Sequence, residues 1–140
     1  MKNKPFHQIK DIVCNINEII KKNIQFNIIS IILSQDIIIS NDNMNIIQIH
    51  IIDETGKIKM LIENISNLTI LNDIIKIGNE CIFRNIKAKL FNNYLYFIID
   101  YNEQNNIIVS NNNFCKRDKI SIESINYSHI QFKIIENLNL

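Results

Sequence analysis

The sequence predicts an all-β domain: a small barrel of five strands with one short helix between the third and the fourth. Three observations carry this. Ile46 to Glu63 alternates apolar and polar residues on both sides of Asp53-Glu54-Thr55-Gly56, the pattern of a tight hairpin. Between Asn64 and Glu80 the apolar spacing changes to threes and fours at Ile65, Leu68, Leu71 and Ile74-Ile75, which is helical. Two further strand-like segments, Cys81–Leu90 and Tyr94–Asp100, follow across Phe91-Asn92-Asn93.

Composition sets the limits. A chain of 140 residues closes one core, and its 46% apolar and 21% charged fractions are those of a globular domain. Isoleucine and asparagine together exceed two fifths of the chain, whereas Gly, Pro and Trp number 2, 1 and 0. This bias, typical of AT-rich coding, puts Ile where Val, Leu or an aromatic would serve, and Asn where Gly or Asp would. The net charge of +1 excludes a strongly basic tail but not a local basic face. Cys14, Cys81 and Cys115 form no CxxC pair, and His7, His50 and His129 lack ligand spacing, so neither zinc nor any other cofactor is expected. The N-terminal MKNKPFHQIKDIV has no signal-peptide core, and no apolar run approaches the ~20 residues of a membrane span. A soluble protein of the nucleus or cytoplasm with reduced thiols is the expectation.

Residues 1–22 carry Ile9, Ile12, Val13, Ile16, Ile19 and Ile20 at helical spacing, with Pro5 outside, and read as an N-terminal capping segment. Ile24–Ser34 is a first strand, dense enough in β-branched residues to be buried on both faces over half its length. Gln35–Asn45 reads as a bend and a polar loop, and Ile46–Ile52 as the second strand. In the turn, Asp53 accepts from its own backbone, and Gly56 is expected to take positive φ and form a bulge. Lys57–Glu63 returns as the third strand, with Ile58, Met60 and Ile62 on one face. A turn at Gly78 leads to the last two strands, joined where Asn93 is expected to take a left-handed conformation. Residues 23–100 make the barrel and 101–140 a C-terminal extension. In the extension, Lys119–Ile135 mixes periods of 2 and 3.6, which fits either an added strand or a packing helix.

This element order is that of the OB-fold, a closed Greek-key barrel. The DETGKI hairpin, the Gly78 turn and RNIKAKLFNNYLYF (Arg84–Phe97) resemble the single-stranded-DNA-binding OB domains of the SOSS-complex B subunit and replication protein A type. The resemblance spans about Ile16 to Asp100. It implies an OB-fold that binds single-stranded DNA in replication or repair.

An OB-fold meets a single strand with the outer face of strands two and three and the neighbouring loops, using aromatics for bases and Lys or Arg for phosphates. Strand parity points His50, Lys57, Lys59 and Leu61 outward on strands two and three, together with Gln48 and Ile52. It does the same for Lys87 and Lys89 on strand four and for Tyr94 and Tyr96 on strand five, with Phe91 at the loop tip. These nine, without Gln48 and Ile52, are the candidate nucleic-acid-binding residues. Alternating lysines are also an ordinary solvated face, and a carboxylate at Glu63 would repel phosphate. Two alternatives stand beside strand binding, the first favoured by Glu63, the missing Trp and the apolar positions Ile120, Ile122, Ile125, Ile130, Ile134 and Ile135. One is an OB scaffold that docks protein subunits through the extension, and the other is a tRNA-binding OB module. No nucleophile–base order or phosphate-cradling Gly loop points to an enzyme.

Overall fold

The strand that organises the barrel is β2 (Phe26–Ile39), which pairs along its first half with β5 (Glu80–Phe91) and along its second with β3 (Asn45–Asp53). The computed structural model describes residues 5–39, 45–92, 94–101, 105–121 and 123–129. The strand runs five residues beyond the predicted end at Ser34, because a register shift between Ile32 and Ser34 takes up the bend that the sequence suggested at Gln35. A bulge of this kind turns a strand without ending its ladder. Phe26, Ile28 and Ile32 face the core while Asn27 and Ser30 are also buried, so the first half is enclosed on both sides.

Around β2 the sheet order is β2-β3-β4-β6-β5, with β4 at Gly56–Glu63 and β6 at Tyr94–Asp100, and the β2–β5 pairing closes the ring. Parallel pairing of β4 with β6, Met60 opposite Phe97, completes the Greek key. Alternation within the strands fills the interior with Ile47, Ile49, Ile51, Ile58, Met60, Ile62, Phe83 and Phe97. The rings of Phe26 and Phe97 meet edge to face, 4.9 Å apart. This is the all-β OB-fold predicted. Two short strands extend it: β1 (Phe6–His7), parallel to the start of β2, and β7 (Ile107–Val109), antiparallel to Cys81–Phe83 of β5.

Helix α1 (Ile9–Cys14) and helix α2 (Ile16–Lys21) place Ile9, Ile12, Val13, Ile16 and Ile19 in the same core. Helix α3 (Leu68–Ile74) lies between the third and fourth barrel strands, as expected. The Asn67 side chain caps it by accepting from the Ile70 amide at 3.1 Å. Gly78 then turns with φ +92°, and its amide donates to the Ile32 carbonyl. No helix among the described residues is long and apolar enough to cross a membrane.

The hairpin turn fastens both α1 and the described extension. Asp53 is buried, and its Oδ1 accepts from the amide and hydroxyl of Thr55 (2.8 and 2.6 Å) and from the Gly56 amide (3.2 Å). Its Oδ2 accepts from the Ile9 amide at 2.9 Å, while Thr55 Oγ1 accepts from the Lys10 amide. The first amides of α1 are thus capped by a turn more than forty residues away, whereas Gln8, at the cap position itself, offers no side-chain bond. Glu54 accepts from Gln8 Nε2 and from the Lys116 amide.

Gly56 meets expectation only in part. Its φ of +159° is positive as expected, but the β3–β4 register runs to Asp53 opposite Gly56 without a bulge, and Gly56 supplies space as well. A Cβ there would lie 2.2 Å from Cε2 of Tyr127, whose hydroxyl donates to the Thr55 carbonyl.

The described part of Lys119–Ile135 forms neither a long strand nor a long helix. A single 3-10 turn at Arg117–Lys119 leads into it, and it contains a second at Tyr127–His129 and a bridge from Asn126 to Lys57. Upstream, Glu80 clasps the extension. Its buried carboxylate accepts from the Ser110 hydroxyl (2.6 Å) and from the amides of Cys115 (2.7 Å) and Phe114 (3.1 Å). Burial alone would raise its pKa, but these hydrogen bonds, from Ser110 first, hold the carboxyl below the usual value.

Two outcomes follow from these contacts. Gly56→Ala lowers unfolding free energy in urea by about 1–3 kcal/mol through overpacking, and costs less in a Tyr127→Ala background. Because Glu80 titrates lower in the folded chain than in the unfolded one, the stability it contributes is complete above its usual value of 4.5 and is lost as pH falls through the folded value. Thermal melts from about pH 7 down to about pH 3 should therefore show an acid limb that Glu80→Gln flattens.

Candidate nucleic-acid interface

Strand register builds the outer face row by row. Gln48, Leu61, Ile98 and Lys87 lie across β3, β4, β6 and β5 in one row, His50 sits opposite Lys59, and Tyr96 sits opposite Lys89. Because the β4 side chains alternate strictly, Lys59, Leu61 and Glu63 point out wherever Ile58, Met60 and Ile62 point in.

A groove of about 380 Å³ opens on this face, lined by Gln48, Lys59, Leu61, Asn92, Tyr94 and Tyr96. Four of the nine candidate residues, Lys59, Leu61, Tyr94 and Tyr96, therefore converge. Tyr94 is half-exposed and Leu61 forms an apolar floor. Burial, and after it the negative charge of Glu63, raises the Tyr96 pKa, so its ring stays a neutral phenol with a hydroxyl to donate. Lys87 and Lys89 line a neighbouring pocket of about 400 Å³ with Gln25, Glu63, Asn85, Ile98, Asp100 and Asn106.

The other candidates are placed differently. His50 stands beside the groove with Nδ1 2.9 Å from the Ser34 hydroxyl. Lys57 stands at the strand end, outside the residues that line the groove, with its amide donating to the Ile125 carbonyl. The Phe91 backbone pairs with Tyr94 at the end of the hairpin, and its side chain lies outside the described residues, as does Asn93. Asn92 has the positive φ (+50°) at that turn. Parity had set Ile52 outside, but it is buried against Ile31 and Cys115 with Ile120 packed beside them, because the extension crosses the outer face at that end. Gln48 and Asn92 were not among the candidates. Parity identified Gln48 as outward, and Asn92 had only its place in the turn.

The described extension also bonds along β4, where Ser128 Oγ accepts from the Lys59 amide at 2.5 Å. It thus borders the groove, and none of its described residues is among those lining it. Ile122, Ile130, Ile134 and Ile135 lie outside the described residues.

Among the described residues no group of three or more His, Cys, Asp or Glu side chains is arranged to hold a metal ion. Two thiols are buried and one is exposed. Burial, and then the charge of Glu80, pushes Cys81 up to about 12 and raises Cys115 as well.

No protein-family model matches this chain, and no curated protein sequence matches it. Solved structures do. The chain is similar to the OB domain of Ta0387 from Thermoplasma acidophilum, with a TM-score of 0.53 and 16% identity over 76% of this chain and 87% of that one. It is also similar to a hypothetical protein from Arabidopsis thaliana, with a TM-score of 0.56 and 15% identity over 94% of this chain and 88% of that one. At such identities the likeness establishes the architecture, an OB-fold, and nothing finer.

The thiols give a direct check on the packing of the extension. In the native protein a maleimide labels Cys14 alone, and Cys81 and Cys115 react only after denaturation, as read by intact mass.

Proposed function

We propose that this OB-fold protein binds single-stranded nucleic acid across the face of β3, β4, β6 and β5, and that the strand is DNA handled in replication or repair. The observation that carries this reading is the groove itself: two tyrosines and a leucine floor beside Lys59, with Lys87 and Lys89 on the next strand. Base stacking on an aromatic ring contributes ~1–3 kcal/mol per base and tolerates any sequence. The three lysines supply cations for the phosphates. Partial retention of the face supports the reading too, since the extension buries the Ile52 end but borders the groove. The nucleus or the cytoplasm would be the setting.

One observation favours a second reading, an OB scaffold that docks other subunits. Ile37 on β2, Ile70 on α3 and Ile77 beyond it are exposed by 50%, 52% and 65%. Such a scaffold would sediment with partners and ignore oligonucleotides. A tRNA-binding module would instead prefer RNA in competition with DNA of the same sequence.

Titration of a fluorescent oligothymidylate of about 20 nucleotides should give binding that weakens with salt, with a log–log slope near −2 if three phosphates are neutralised. Tyr94→Ala and Tyr96→Ala should each weaken it about tenfold. Salt-insensitive binding, or affinity unchanged in the double variant, would overturn the reading.

A further inference from the structure

Glu63 is the residue that a strand-binding face has least reason to carry. Its neighbour across the parallel β4–β6 pairing is Asp100, so two carboxyl-bearing residues stand side by side in the pocket that Lys87 and Lys89 also line. The described ion pairs are Lys22–Glu18 and Lys76–Asp73, and they leave Glu63, Lys87 and Lys89 out. Asp100 is already engaged, its Oδ1 accepting from Asn64 Nδ2 at 2.9 Å. Asn106, which lines the pocket with Gln25 and Asn85, is only 5% exposed. Its Nδ2 donates to the Asp100 main-chain carbonyl, and its Oδ1 is buried with no partner. A buried acceptor without a donor is rare in folded proteins and marks a place where a donor belongs. The pocket therefore sets the Glu63 carboxylate, with Asp100 and a buried amide oxygen beside it, next to the two lysines.

We propose that this pocket reads a guanine base of the bound strand. The inference rests on the strand binding proposed above and assigns that site a base preference. A carboxylate accepts two hydrogen bonds side by side. Of the base edges exposed by an unpaired strand, only guanine sets two donors next to each other, N1–H and the N2 amino group. Adenine and cytosine place a ring acceptor beside their amino group, which would face a carboxylate oxygen with a lone pair. Thymine and uracil flank a single N–H with two carbonyls. Guanine also brings acceptors, O6 and N7, to meet Lys87 and Lys89. The placement is consistent with the groove: Lys89 is the cross-strand neighbour of Tyr96, and Leu61 of Ile98, so a base beyond the one stacked on Tyr96 reaches the pocket. Glu63 and Asp100 repel phosphate, which keeps the backbone out and presents the base instead.

The test uses the full chain and oligothymidylates carrying one central guanine, adenine, cytosine or hypoxanthine, with a matching uridylate series, read by fluorescence anisotropy. Hypoxanthine is guanine without the N2 amino group. The guanine strand should bind about tenfold or more tighter than the adenine and cytosine strands, with hypoxanthine between. Glu63→Gln should bring the guanine-to-adenine ratio towards one. The same preference in both sugar series supports the base-edge assignment. Equal affinity for all four strands overturns guanine reading while leaving strand binding intact, and a guanine preference that survives Glu63→Gln overturns the role of Glu63. Absence of binding to every strand overturns the strand-binding reading and this inference with it.

Discussion

Everything at the closed end of the barrel depends on the buried carboxylate of Asp53. One oxygen gathers three donors from Thr55 and Gly56 and so shapes the β3–β4 turn, while the other takes the first amide of α1. A charge so deeply enclosed is tolerated only when its lone pairs are filled by well-aligned donors, as they are here. Once the turn is fixed, Glu54 and the Thr55 carbonyl are positioned to receive Gln8, Lys116 and Tyr127. The N-terminal helix, the hairpin and the extension are therefore a single fastened unit, built on a four-residue stretch of the chain.

That fastening divides the outer face in two. At the turn end, Ile52 lies under Cys115 and Ile120, and the strand edge at Lys57 is occupied by Ile125 and Asn126. Beyond Lys59 the face carries Leu61, Tyr94 and Tyr96 in a groove. The chemistry changes again one strand further, where acids and lysines share a pocket. Apolar, aromatic and charged zones thus follow one another across four strands, an order set by register and by where the extension stops covering.

The barrel was legible because its signals are local. Alternation at Lys57–Glu63 gave the inward set Ile58, Met60 and Ile62 directly, and the change of period at Leu68 and Leu71 gave the helix. What escaped was set by distant contacts. The length of β2 depended on a bulge at Ile32–Ser34, which has no composition mark in so Ile-rich a run. The burial of Ile52 and the need for Gly56 both came from residues 63 to 71 positions away, Cys115 and Tyr127 among them, so no window around the hairpin contains them. The reading of Asn as a stand-in for Gly had physical content: Asn23, Asn64, Asn85, Asn92, Asn105 and Asn113 all take positive φ. In the candidate site, parity put Lys59, Leu61, Tyr94 and Tyr96 on the face where they line one groove, but parity is blind to which pocket a lysine enters, and so it merged Lys87 and Lys89 with the groove.

The seat of Tyr127 against Gly56 also bears on how the chain is made. Synthesis proceeds from the N-terminus, so Ile9 and Lys10 emerge long before Asp53 and Thr55, the residues that cap their amides. Tyr127, which seats against the finished turn, is made later still. Contacts of such long sequence separation form late and slow the search for the native state. The closed end is therefore completed only once Tyr127 has been made, and until it arrives the nascent barrel has an unfinished rim.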